Sequence, residues 1–257
     1  MNKASQKGST IVVVMVVVIL LTIIGAMAMR GSVFGLKIAT NSQANNIMDQ
    51  NNDASFYYIE NLAFIKSQLV GTGLFGFPKM ADNRNKELVL CYRGGSTKFY
   101  QLGKVSLVYS ELEGGSEKLK KEHIGGSSNM GFCQVNNSKS DFVSGRGAAM
   151  TQISVRVAGM SDDEPFSHYQ IGTDAETGKL EDTLRVVVTS TTVMPVLSSA
   201  TNKTINDCMQ NLSYIDDPDS DLPTVSECLS GESIPFKTQV AEYNLGQFIK
   251  KYESTGS

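Results

Sequence analysis

STIVVVMVVVILLTIIGAMAM, Ser9 to Met29, is the stretch whose reading decides the fold. It runs twenty-one residues without a charge. At about 1.5 Å of rise per residue that is roughly 31 Å of helix, one bilayer core. Lys3 and Lys7 stand before the run, and Arg30 closes it. Immediately in front sits Lys7-Gly8-Ser9-Thr10, a basic residue and a glycine at the mouth of the apolar segment.

Three readings of the stretch compete. Length alone permits a plain membrane anchor. A secretory signal would use Lys3 and Lys7 as its basic region and Ala26-Met27-Ala28 as its small-x-small cleavage site. Against that, the apolar part exceeds the usual signal core, and the helical pattern continues past Ala28. The third reading is a class III leader, residues 1–8, cut after Gly8 so that Ser9 becomes the new N-terminus and the apolar helix stays in the mature chain. The residues favour the third.

The whole chain has 257 residues, 41% hydrophobic and 19% charged, an ordinary globular composition with one membrane segment attached. Beyond the leader and a long N-terminal helix enough chain remains for one core. The net charge of −3 gives no general attraction to nucleic acid or anionic lipid. Lys118, Lys120 and Lys121 are the nearest thing to a basic cluster, and they read as a solvated loop; nucleic acid is not expected as a direct partner. The four cysteines, Cys91, Cys133, Cys208 and Cys228, all follow the membrane segment, which suggests two disulfides in an oxidising compartment. Of three possible pairings, proximity favours Cys91–Cys133 and Cys208–Cys228. No spacing is C-x-x-C, so a zinc site is not expected.

From Arg30 to about Val70 the apolar signal turns periodic. Val33, Leu36, Thr40, Ala44, Ile47, Asn51, Ala54, Tyr58, Leu62, Ile65 and Leu69 recur at steps of three and four, one stripe of a helix. No proline occurs before Pro78, so a single helix is predicted over 9–70, with 9–29 in the membrane and 30–70 amphipathic. Gly25, Gly31 and Gly35 each cost about 1 kcal/mol against alanine, and a bend or local melting is expected there. Gly71-Thr72-Gly73-Leu74-Phe75-Gly76 formally fits G-x-G-x-x-G but follows a helix, so it reads as a loop rather than a dinucleotide site.

Residues 71–257 read as a globular β-rich domain. Glu87–Arg93 and Lys98–Tyr109 are predicted to pair around Gly94-Gly95-Ser96, and Met150–Ala158 and Leu184–Met194 form further strands. Together these give an α+β fold in which the long helix lies across one face of an antiparallel sheet. Between Thr204 and Phe236 there are acidic residues and no lysine or arginine. A disulfide-bounded loop, 208–228, would enclose Asp216 to Asp221. Asp217, Asp219 and Asp221 alternate as calcium ligands do, but no EF-hand glycine or closing glutamate follows in place. A solvated acidic loop is the leading reading, and calcium the alternative. No nucleophile–base pair, metal cluster or phosphate loop is present in the sequence, so neither an enzyme nor a cofactor is expected.

The N-terminal quarter resembles the PilX-type minor pilins of type IV pili. The likeness rests on the Lys7-Gly8-Ser9-Thr10 junction, the uninterrupted apolar helix, Ala39-Thr40-Asn41 and Ile59-Glu60-Asn61-Leu62. The family has an alanine–glycine–asparagine and an alanine–glutamate motif at the latter two places, where this chain has Thr40 and Ile59. The resemblance implies cleavage between Gly8 and Ser9 by a prepilin peptidase and methylation of the Ser9 amine. It implies an inner-membrane protein with a periplasmic domain, which joins other minor pilins and the major pilin in a tip complex near an adhesin. Such fibres serve twitching motility, adhesion and DNA uptake. Most pilins carry glutamate at the fifth mature residue, thought to pair with the N-terminal amine of the subunit above; here that position is Val13. The glutamate-lacking pseudopilin of type II secretion systems shares this pattern, and a membrane-anchored periplasmic binding protein remains the alternative of a different class.

Overall fold

The structure, a computed structural model, describes residues 9–94, 96, 98–125, 131–136, 140–158, 185–215 and 220–245. It divides into two compact units, Met1–Asn46 and Ile47–Ser257. The first is carried by helix α1, Ser9–Ile59, whose final turns belong to the second. α1 is helical without interruption through Gly25, Gly31 and Gly35.

The helix does not reach Val70. It ends at Ile59, and a second helix, α2 (Leu62–Gln68), starts after Asn61. Asn61 is the cause: its Oδ1 accepts from the backbone N–H of Ala63 at 3.0 Å and of Phe64 at 3.2 Å, an N-cap that begins a new helix. A short turn, α3 (Gly76–Lys79), follows. Between α2 and α3 the G-x-G-x-x-G run folds back on the preceding helix. A Cβ on Gly73 would strike the carbonyl of Gln68, and one on Gly76 the carbonyl of Val70. Close backbone packing, not phosphate binding, accounts for these glycines.

Six antiparallel strands make one sheet in the order β3-β2-β1-β4-β5-β6. They are β1 Glu87–Tyr92, β2 Val105–Glu113, β3 Ser116–Ile124, β4 Met150–Val157, β5 Arg185–Val193 and β6 Phe236–Asn244. β1 does pair with β2, Leu88 opposite Leu107, but Lys98 to Gln101 form no strand and β2 runs on to Glu113. The lysine-rich run expected as a loop is strand β3, closed against β2 through Gly114 and Gly115. Both glycines have positive φ (65° and 84°), the two-residue hairpin geometry that matches sheet twist. Sequence reading missed it because an edge strand in water shows no apolar alternation, and its lysines are what keep such an edge soluble. β6 was missed for the same reason.

Each face of the sheet has its own core. On one, Leu88, Leu90, Leu107, Ile153, Val155, Val186 and Val188 pack with Ile59, Ile65, Leu74 and Phe75 from the helical segments. On the other, Cys91, Met150 and Val193 meet Ile205, Cys208, Met209, Val225 and Leu229. The last group comes from α4 (Asn202–Cys208), its C-cap Met209 and α5 (Val225–Gly231), so the region beyond Ala200 is a second covering layer and not only an exposed loop. Disulfides join Cys91 to Cys133 and Cys208 to Cys228.

The buried stripe at the end of α1 lies one residue away from the predicted one. Met48, Asn52, Ser55 and Ile59 are buried, whereas Ile47, Asn51 and Ala54 are half-buried and Tyr58 is 49% exposed. The stripe could not be found by hydrophobicity because its middle is polar. Asn52 Oδ1 accepts from Ser190 Oγ at 2.9 Å and Thr192 Oγ1 at 2.6 Å, and its Nδ2 donates to the Lys237 carbonyl at 3.0 Å. Ser55 Oγ donates to the Asn52 carbonyl and lies 2.9 Å from Ser190 Oγ. Thr151 and Thr192 hydroxyls meet at 2.7 Å beneath them. The Asn52, Ser55, Thr151, Ser190 and Thr192 side chains are all buried, so removing the central amide strands several partners at once. Asn52→Ala is expected to cost about 3 kcal/mol in chemical denaturation, against about 0.5 kcal/mol or less for Asn51→Ala. Equal costs for the two would contradict this placement of the helix.

Candidate functional site: the apolar helix and the polar groups of the sheet domain

In the first unit each large apolar side chain from Ile11 to Ile38 is at least 47% exposed. A helix apolar all round is suited to a membrane or a closely packed bundle, not to water. It is the single described helix long and apolar enough to cross a bilayer. Two hydroxyls within it are turned back on the helix: Thr22 Oγ1 donates to the Ile19 carbonyl at 2.7 Å, and Thr40 Oγ1 to that of Leu36 at 2.8 Å. Both are thereby satisfied without water.

The predicted processing site straddles the edge of what is described. Gly8 lies outside it, and Ser9 is the first helical residue. Val13 stands in the second helical turn, exposed among valines. No acidic residue occupies the first turn, so no acid of that turn offsets the positive end of the helix dipole. The first carboxylate along α1 is Asp49.

The calcium candidates do not come together as a described site. Asp217 and Asp219 lie outside the described residues, and Asp221 is exposed. Its neighbour Ser220 donates to the Glu117 carboxylate on β3. Hydrogen bonds from Ser110 and Ser220 hold Glu117 below the usual carboxylate range. One end of the acidic segment is thus fastened to the β2–β3 hairpin. Among the described residues no three His, Cys, Asp or Glu side chains gather as a metal centre. Ser106 Oγ and His123 Nδ1 are 2.8 Å apart, but Ser106 has no exposure, and its hydroxyl is closed to any substrate.

The sequence did not point to Glu87, the opening residue of β1, which is 2% exposed. Ser213 reaches it with its backbone N–H, 3.0 and 3.1 Å from the two carboxylate oxygens, and with its hydroxyl at 2.8 Å. Burial pushes the Glu87 carboxyl up from its ordinary 4.5, against the opposing pull of the Ser213 and Ser154 hydrogen bonds and the Arg156 charge. Arg156 lies over the Tyr214 ring at 4.2 Å. An acid at the head of an otherwise apolar strand was the one available signal. These contacts tie the segment after α4 to the sheet and present no open cleft.

No family model, curated protein or solved structure matches this chain.

Because folding raises the Glu87 pKa, its contribution to stability is fullest below pH 4.5 and declines as pH rises through the folded-state value. Denaturation midpoints taken upward from pH 4.5 should therefore fall in the wild type relative to Glu87→Gln, which does not titrate. Parallel curves for the two proteins would contradict a burial-dominated Glu87.

Proposed function

We propose that this chain is a non-catalytic minor pilin that helps start assembly of a type IV pilus. The observation that carries the reading is α1: one helix, apolar on every side where it is free, that passes without a break into the turns packed on an antiparallel sheet. A simple anchor needs no such continuity, because a flexible linker would serve. A fibre subunit uses it, since the helix leaves lipid for a protein bundle while it stays joined to its domain.

Val13 sharpens the role. A carboxylate in the membrane costs roughly 2.5–3.5 kcal/mol on insertion scales and is kept only where it finds a partner. In the proposed fibre that partner is the amine of the subunit above. With Val13 this chain offers no carboxylate upward, while the Ser9 amine and the uncompensated helix end can still receive one from below. One-sided capacity of this kind suits the first subunit of a fibre. The prepilin peptidase, other minor pilins, the major pilin and a tip adhesin are its proposed partners. The inner membrane and then the pilus tip are its proposed locations.

Immunogold labelling should find few copies per pilus, concentrated at tips, and deletion should sharply reduce pilus number while fibres keep their normal structure. Val13→Glu should spread the label along the fibres, because it restores the missing upward contact. Even labelling of the wild type along fibres, or an unchanged pilus number on deletion, would overturn the proposal. Gly8→Glu should block maturation and give the deletion phenotype; a functional Gly8→Glu protein would overturn the leader.

A further inference from the structure

The two edges of the sheet are built differently. β3 carries Lys118, Lys120 and Lys121 and is partly covered: Lys121 Nζ bonds Gln210 Oε1 at 2.9 Å, and Ser220 bonds Glu117. Charges and cover of this kind keep an edge from pairing. β6 has neither to the same degree. Its two charges are already engaged, Lys237 with Asp49 at 2.6 Å and Glu242 with Arg185 at 3.5 Å, and Val240 is 64% exposed.

The register shows which backbone groups face outward. Met194 N–H donates to the Pro235 carbonyl at 3.0 Å, in line with Val193 opposite Phe236. Antiparallel pairs alternate, so Lys237, Gln239, Ala241 and Tyr243 bond to β5, and the N–H and C=O groups of Thr238, Val240 and Glu242 point away from the sheet. Among the described residues no backbone group pairs with them.

Above this edge runs a row of acids, two on α1 and one in the turn that closes it. Asp49 meets Lys237, Asp53 accepts from Gln239 Nε2 at 3.1 Å, and Glu60 accepts from Tyr243 Oη at 3.2 Å. Asp49 and Asp53 share one side of α1, and Glu60 follows them from the turn after it; all three bond side chains of β6, whereas Asn52 and Ser55 sit over Ser190 and Thr192 of β5. The partners of Asp53 and Glu60 are neutral, so two negative charges overhang the position a further strand would take, about 4.8 Å beyond β6.

We infer that the outer edge of β6 accepts an extended segment of a partner protein as a seventh strand. That segment carries Lys or Arg at alternate positions facing Asp53 and Glu60, with apolar residues between them on the side of Val240. Main-chain bonds give such strand addition its affinity, and alternate side chains give its specificity. A second copy of this chain does not fit. The helix-facing positions of its own β6 are Lys237, Gln239, Ala241 and Tyr243, whose single cation is held by Asp49, and its acidic row would face the first.

The test uses the full-length protein in detergent micelles with fluorescein-labelled nine-residue peptides. One alternates lysine with valine, and the other alternates glutamate with valine. Fluorescence anisotropy should show the lysine peptide binding at least tenfold tighter. Val240→Pro removes an outward N–H from an edge strand without breaking the β5 ladder, and should weaken binding at least tenfold with thermal unfolding unchanged. A lysine peptide N-methylated at alternate residues should lose binding to the wild-type protein, which makes the same point without altering the fold. Asp53→Lys should shift preference toward the glutamate peptide. Absence of binding, equal binding of the two peptides, or full binding of the N-methylated peptide would overturn the inference. So would concentration-dependent dimerisation through β6 without peptide binding.

Discussion

Water cannot be the permanent surroundings of the helix from Ile11 to Ile38. Every large apolar side chain there is exposed, on all sides of the helix, so the segment gains by entering a medium without water. Past its first turn the backbone is bonded within the helix and Thr22 bonds its own turn, so the uncharged run up to Met29 can enter such a medium at little polar cost. The same helix has to do something different after Ile47. There it must hold one orientation on a sheet, and a uniformly apolar surface would not specify which. Asn52 does so, because its amide has partners in only one register.

This division explains what the sequence could and could not reveal. The long apolar helix was legible at once, since twenty-one uncharged residues need no partner to be recognised. The α+β class and the antiparallel sheet were also legible, from β-branched runs such as Val186 to Thr192. The buried stripe was not. Periodicity picks the most hydrophobic row, Ile47–Ala54–Tyr58, and the true contact row passes through Asn52 and Ser55. A polar residue joins a core when its hydrogen bonds are met there, and that depends on Ser190 and Thr192, more than a hundred residues away.

Similar reasons account for the other departures. Asn61 was counted within a helix although its side chain is a strong initiator, which is why α2 stands apart from α1. Strands β3 and β6 lie at sheet edges, where one face is wet and the alternation of apolar residues is weakest. Glu87 became buried because Ser213 happens to fold over it. The region after Ala200 looked like an acidic loop because its described acids, Asp207, Asp221, Glu227 and Glu232, face solvent, while Ile205, Met209, Val225 and Leu229 complete a second core.

The central claim is that the apolar helix begins at a processed Ser9 and is built for a fibre as well as a membrane. Mass spectrometry of the N-terminal peptide of the mature protein from its native host tests this most directly. The account requires a chain that begins at Ser9 and bears one methyl group on its amine. An N-terminus created after Ala28, or an uncleaved Met1, would contradict it.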